Sequence, residues 1–109
     1  MEKVGYLYII TNETAFPGWV KVGTTDNLSN RLSTYQTGDP LRGYVVVYSI
    51  HHPKYKEAEK MVKSIMKPFA AEIKNEWYKI NLYMAKENLD EVIRAYSELP
   101  HQNPTLFLL

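Results

Sequence analysis

Cysteine is absent from the chain's 109 residues, which excludes disulfide staples and thiolate-bound metal. No apolar run approaches the ~20 residues that cross a bilayer, and no basic start leads into an apolar core. Neither a membrane span nor a signal peptide is therefore expected. Charge of one sign is missing as well: 13 Lys and Arg against 12 Asp and Glu leave a net +1. A domain that binds nucleic acid through its overall field carries a strong basic excess, so any such contact here must come from local clusters.

What is present suits a single domain spanning residues 1–109, with 45 % hydrophobic and 23 % charged residues, as in an ordinary folded chain with a modest core. No internal repeat, low-complexity stretch or inter-domain linker is visible. Nine tyrosines bring the aromatic share to 13 %, which by count alone fits sheet packing.

The stretch from Gly5 to Arg31 organises the rest. Gly5 to Ile10 has the aromatic and β-branched composition of a strand. Asn12 to Gly18 is loop chemistry, and Trp19 to Thr24 resumes the strand. Asp26 is the expected N-cap of a helix from about Asn27, with Leu28, Leu32 and Tyr35 facing the sheet and Gly38 at its end. A short loop favours an antiparallel hairpin that makes Tyr8 and Lys21 neighbours on one face. Gly43 to Ile50, almost continuously apolar, predicts a strand buried on both faces. His51, His52 and Pro53 then break it.

A second helix is expected from about Tyr55 to Met66. Ala58, Met61, Val62, Ile65, Met66 and Phe69 make its buried face, and Lys56, Lys60, Lys63 and Lys67 the opposite one. Glu59 falls on the border between them. Ala70 to Asn75 reads as loop, Glu76 to Ile80 as a short strand or extended segment with Trp77 closing the core, and Ala85 to Glu98 as a third helix. The tail from His101 ends in Leu106-Phe107-Leu108-Leu109, apolar enough to dock on its own domain or a partner.

Tyr6-Leu7-Tyr8 followed by Ile-Ile-Thr-Asn, then Lys21-Val22-Gly23 with Thr24, Thr25 and Arg31, resembles the paired motifs of the GIY-YIG nuclease superfamily. Lys21 stands where the second signature tyrosine usually lies, as in a branch found in phages and large DNA viruses. The resemblance implies an α+β fold, a small three-stranded, mainly antiparallel sheet flanked by helices, and a metal-dependent DNA endonuclease or nickase. It assigns catalysis to Tyr8, Lys21, Arg31 and Glu59, with Tyr6, Gly23 and Tyr35 accessory. Tyr8 helps to activate water, Lys21 lowers its pKa or holds phosphate, and Arg31 stabilises phosphate charge. The resemblance also makes Glu59 the expected single-carboxylate ligand of Mg²⁺ or Mn²⁺, a cation that keeps much of its hydration.

Each residue also has a plainer reading. Tyr8 is one of several strand aromatics, Lys21 can snorkel from an edge strand, and Glu59 can pair with Lys56 or Lys63. Lys56, Lys60 and Lys63 with Arg42 either follow a DNA backbone or are a solvated surface. His51 and His52 lack the spacing of a helical metal pair and read as turn residues, one of them a possible accessory base. A non-cleaving DNA-binding or protein-interaction module on the same fold is the alternative function. DNA is the expected partner, a homodimer or protein partner through the apolar tail is a further one, and the expected location is cytoplasmic (host cytoplasm or nucleus for a viral chain).

Overall fold

A computed structural model describes residues 4–98; the apolar tail lies outside the described residues. The elements, in chain order, are β1 (Gly5–Thr11), β2 (Trp19–Thr25), α1 (Leu28–Thr37), β3 (Val45–His52), α2 (Tyr55–Met66), a 3₁₀ turn at Lys67–Phe69, β4 (Glu72–Lys74), β5 (Trp77–Lys79) and α3 (Leu82–Glu98). The fold is α+β, but its sheet has five strands rather than three, in the order β3-β1-β2-β5-β4. Every pairing is antiparallel. Of the two further strands, β5 falls in the segment read as a short strand and β4 in the stretch expected to be loop. Strands of three residues are too short to show a period of two.

β1 lies between β3 and β2, and Leu7, Tyr8, Ile9 and Ile10 are at most 1 % exposed. Alternate residues of a strand face opposite ways. Leu7 and Ile9 join Val20 and Val22 of β2 in a core closed by Tyr55, Ala58, Val62 and Met66 of α2 and by Ala85, Leu89, Val92 and Ile93 of α3. Each fully buried aliphatic side chain there contributes roughly 1.5–3 kcal/mol. Two residues expected in this core, Met61 and Phe69, are instead 46 % and 59 % exposed. Met61 lies on the flank of α2, and the chain leaves the α-helix at Lys67 before Phe69 completes the stripe.

β3 is not buried on both faces. It is an edge strand with no fully buried residue, and it runs on through His51 and His52. A continuous apolar run does not distinguish an edge strand from a central one when a helix covers only one of its faces.

The other face of the sheet carries α1, which buries no residue. The expected apolar stripe is only half-buried, and polar contacts hold the helix instead. Asn27, not Asp26, is the N-cap, its Oδ1 accepting from the Asn30 amide at 3.0 Å. Gln36 donates to the Tyr44 carbonyl at 2.7 Å and accepts from the Tyr44 amide at 3.1 Å. Beyond the helix, Asp39 accepts from the amides of Leu41 and Gly43 and from the side chain of fully buried Asn12. These bonds fasten the α1–β3 connection to the end of β1.

Tyr48 of β3 donates to Asp90 of α3, tying the edge strand to the helical layer. Burial, and then this hydrogen bond, push its phenol from 10.0 up to about 12. A folded-state pKa above the unfolded one favours the folded state while the phenol stays protonated. That stabilisation is complete below about pH 10 and is lost as pH rises through about 12. Denaturant midpoints followed across this window should fall, and should fall less steeply in Tyr48→Phe. An identical alkaline slope in the variant would exclude this bond as the source.

Candidate active site

The β1–β2 register pairs Tyr8 with Gly23 and Ile10 with Lys21. Tyr8 and Lys21 therefore share a face as diagonal rather than direct neighbours. What stands opposite Tyr8 is a residue without a side chain. A Cβ built at Gly23 would lie 2.5 Å from the Tyr8 hydroxyl oxygen, so glycine is what lets the ring lie across β2. The Tyr8 hydroxyl reaches that of Tyr35 on α1 at 3.5 Å. Burial pushes the Tyr8 phenol well above its ordinary range, the Tyr35 contact adds to this, and Arg31 opposes it in part. The direction is opposite to the lowering expected from Lys21.

Lys21 is engaged elsewhere. Its Nζ lies 3.0 Å from a Glu76 carboxylate oxygen and 5.2 Å from the centre of the Tyr35 ring. Burial, the largest single influence, works against the ammonium, but Tyr35 and Glu76 outweigh it and the pKa is raised. Lys21 holds Glu76 below the usual carboxylate range by hydrogen bond and charge, with help from Lys63. Lys63 in turn lies 3.2 Å from Glu59 and 3.8 Å from Glu76. Lys21, Glu76, Lys63 and Glu59 thus form a row of alternating sign.

Two features of the sheet bring this row together. β5 pairs with Trp19, Val20 and Lys21, so among the described residues the Val22–Thr25 half of β2 has no strand neighbour on that side. Glu59, on the rim of α2, shares a cavity with Gly23 and Thr24 along this stretch. The β4–β5 hairpin closes with Lys74 paired to Trp77, leaving Asn75 and Glu76 as its turn. Asn75 takes the left-handed conformation, φ 56°, which Asn tolerates better than most residues. Glu76 is thereby set beside Lys21.

The result is one polar cavity of about 320 Å³ lined by Tyr8, Lys21, Gly23, Thr24, Arg31, Glu59 and Glu76. All four residues assigned to catalysis line it, although Glu59 is remote in sequence. Tyr35 lies in an adjoining depression with Arg31 and Tyr44. Tyr6 is elsewhere, stacked on His51 at 4.5 Å, and His51 and His52 belong to β3 rather than to a turn. Arg42 is exposed with φ 49°. Lys56 lies 5.7 Å from the centre of the Tyr55 ring, Lys60 is exposed, and Lys63 belongs to the cavity's charge row rather than to a solvated stripe. Glu76 is the residue missed. The sequence pattern points to Trp77 as the residue of this segment that closes the core, but Tyr78, 8 % exposed, fills that role and Trp77 is only half-buried.

The T5orf172 domain model matches residues 5–97. The chain belongs to the T5orf172 domain family. This is a nuclease-associated family, and at that level the domain is nuclease-like or DNA-binding. No curated protein and no solved structure matches the chain.

The donor set of this T5orf172 domain bears on the metal. Among the described residues no group of three or more His, Asp or Glu side chains could cage an ion. The Glu59 carboxylate on the wall of a polar cavity, with Glu76 sharing its lysine, instead fits a largely hydrated Mg²⁺ or Mn²⁺ completed by phosphate oxygens.

Gly23→Ala should displace Tyr8 and destabilise the domain by about 1–3 kcal/mol, the usual cost of overpacking a closed core. Urea unfolding measures this, and an unchanged midpoint would show that the ring does not depend on the open backbone.

Proposed function

We propose that this T5orf172 domain is a metal-dependent endonuclease or nickase of GIY-YIG type that hydrolyses DNA phosphodiester bonds. The observation that supports it most is the meeting of Tyr8, Lys21, Arg31 and Glu59 in one polar cavity. Water attacks phosphorus in line; the new P–O bond forms as the ester P–O bond opposite breaks. The Tyr8 phenol is protonated near neutral pH, since burial raises its pKa, so it acts as a relay rather than as a ready-made base. It takes the attacking water's proton as it passes its own to Tyr35, 3.5 Å away. Tyr35, in the adjoining depression, releases its hydroxyl proton to solvent, and the leaving oxygen takes a proton from solvent. Arg31 and Lys21 set two cations against the charge that grows on the phosphate oxygens. Glu59 would hold Mg²⁺ or Mn²⁺, which supplies further positive charge to polarise the phosphate. Arg42, Lys56 and Lys60, outside the cavity, are placed in this reading on flanking phosphates.

A non-cleaving DNA-binding module is the second reading. One observation favours it: Lys63 lies 3.2 Å from Glu59 and Lys21 3.0 Å from Glu76, so both carboxylates are already paired within the chain.

Supercoiled plasmid incubated with Mg²⁺ or Mn²⁺ separates the two. Nicking should be seen with the native chain and lost in Glu59→Gln, while DNA binding persists. Arg31→Ala should slow it by roughly 100- to 1000-fold, by analogy with loss of one transition-state donor. Binding without nicking across metals and DNA forms would leave the second reading, and full activity in EDTA would remove the metal from the mechanism.

A further inference from the structure

The face of the sheet that carries the cavity also carries a row of aromatic rings, of which the hydrolysis uses only the Tyr35 hydroxyl. Tyr35, whose hydroxyl meets Tyr8, lies 5.1 Å from Tyr44, ring centre to ring centre. Tyr44 lies 6.3 Å from Trp77, and Trp77 lies 5.4 Å from Phe16. None of the four belongs to the hydrophobic core. Phe16 is 41 % exposed and the others are half-buried. At the far end, Phe16, Trp19 and Trp77 line a pocket of about 170 Å³, which Lys74 and Asn75 complete.

This row starts at two cations, Arg31 and Lys21, and ends at a third, Lys74. Rings that lead from cation to cation suit an unpaired strand, whose phosphates meet the cations while its bases stack on the rings. A continuous duplex keeps its base faces stacked inside and can offer them nothing. Phosphate contacts alone give little at the cavity, where Arg31 and Lys21 are matched by Glu59 and Glu76, so stacking of bases supplies what charge does not.

We infer that the substrate is DNA with unpaired nucleotides next to the phosphate held in the cavity, their bases laid along Tyr35, Tyr44, Trp77 and Phe16. This rests on the cavity receiving a phosphodiester, as proposed above. The slot between Phe16, Trp19 and Trp77 takes one base, with Asn75 at its edge and Lys74 near its phosphate.

The test is binding in EDTA, so that cleavage plays no part. The full chain is titrated with a blunt duplex and with the same duplex interrupted by an unpaired thymidine tract, following both DNA anisotropy and tryptophan emission. The interrupted duplex should bind at least about five-fold more tightly, the effect of stacking one base, and should quench tryptophan emission. Phe16→Ala, at an exposed position, should remove most of that preference, and Phe16→Trp should restore it. Equal affinity for the two DNAs, or a preference untouched by Phe16→Ala, would overturn the inference. Nicking of both the plasmid and the interrupted duplex, scored with Mg²⁺ or Mn²⁺ on the same preparation, keeps the two proposals apart. Nicking without the preference removes the aromatic track alone, and the preference without nicking removes the nuclease alone.

Discussion

The site depends on the ring of Tyr8 lying across the bare backbone of Gly23. That contact buries Tyr8 almost completely yet brings its hydroxyl to the cavity and to Tyr35. It also gives α1 a place to rest. This helix buries nothing of its own, so its position follows from the Tyr8–Tyr35 contact, the Gln36–Tyr44 pair and the Asn12–Asp39 clamp. Arg31 rides on the same helix and lines the cavity with Tyr8. The hydrophobic layer on the far side of the sheet supplies stability, and the polar layer supplies alignment.

Charge is balanced locally rather than across the chain. Lys21, Glu76, Lys63 and Glu59 neutralise one another in a row, so the cavity sets Lys21 and Arg31 against Glu59 and Glu76 without a net excess of either sign. Lys63 is the hinge of that balance, because it contacts both carboxylates. A cation arriving at Glu59 must compete with its ammonium, and a phosphate arriving at Lys21 must compete with Glu76. Glu76 is 61 % exposed, so its pairing with Lys21 is weak and open to an incoming phosphate. Lys63 and Glu59 are each only 23 % exposed, so a cation must displace a better-shielded ammonium.

Much of this arrangement was legible in the sequence. The β1–loop–β2–α1 order follows from composition and breakers, and the placing of Tyr8, Lys21 and Arg31 follows from that order. Glu59 was readable as a border residue because a helical wheel needs only the spacing of Ala58, Val62 and Met66. Other features depend on tertiary neighbours. An apolar run such as Val45 to Ile50 does not reveal whether one strand or two will flank it. Glu76 reaches the cavity because a two-residue turn, with Asn75 at positive φ, presents it there. Its partner Lys21 is distant in sequence, so no local pattern announces the pair. The direction of the Tyr8 shift was likewise out of reach, since it follows from burial and not from the neighbouring lysine.

We propose that this cavity receives a divalent cation and a phosphate together, with Glu59 as the protein ligand. A crystal of the native chain soaked with Mn²⁺ and a short DNA strand, measured at the manganese absorption edge, tests it most directly. The account predicts one anomalous peak within coordination distance of the Glu59 carboxylate, with Lys63 displaced from it and a phosphate oxygen completing the shell beside Arg31. Manganese bound only elsewhere, with the Lys63–Glu59 pair intact and the strand in place, would contradict it.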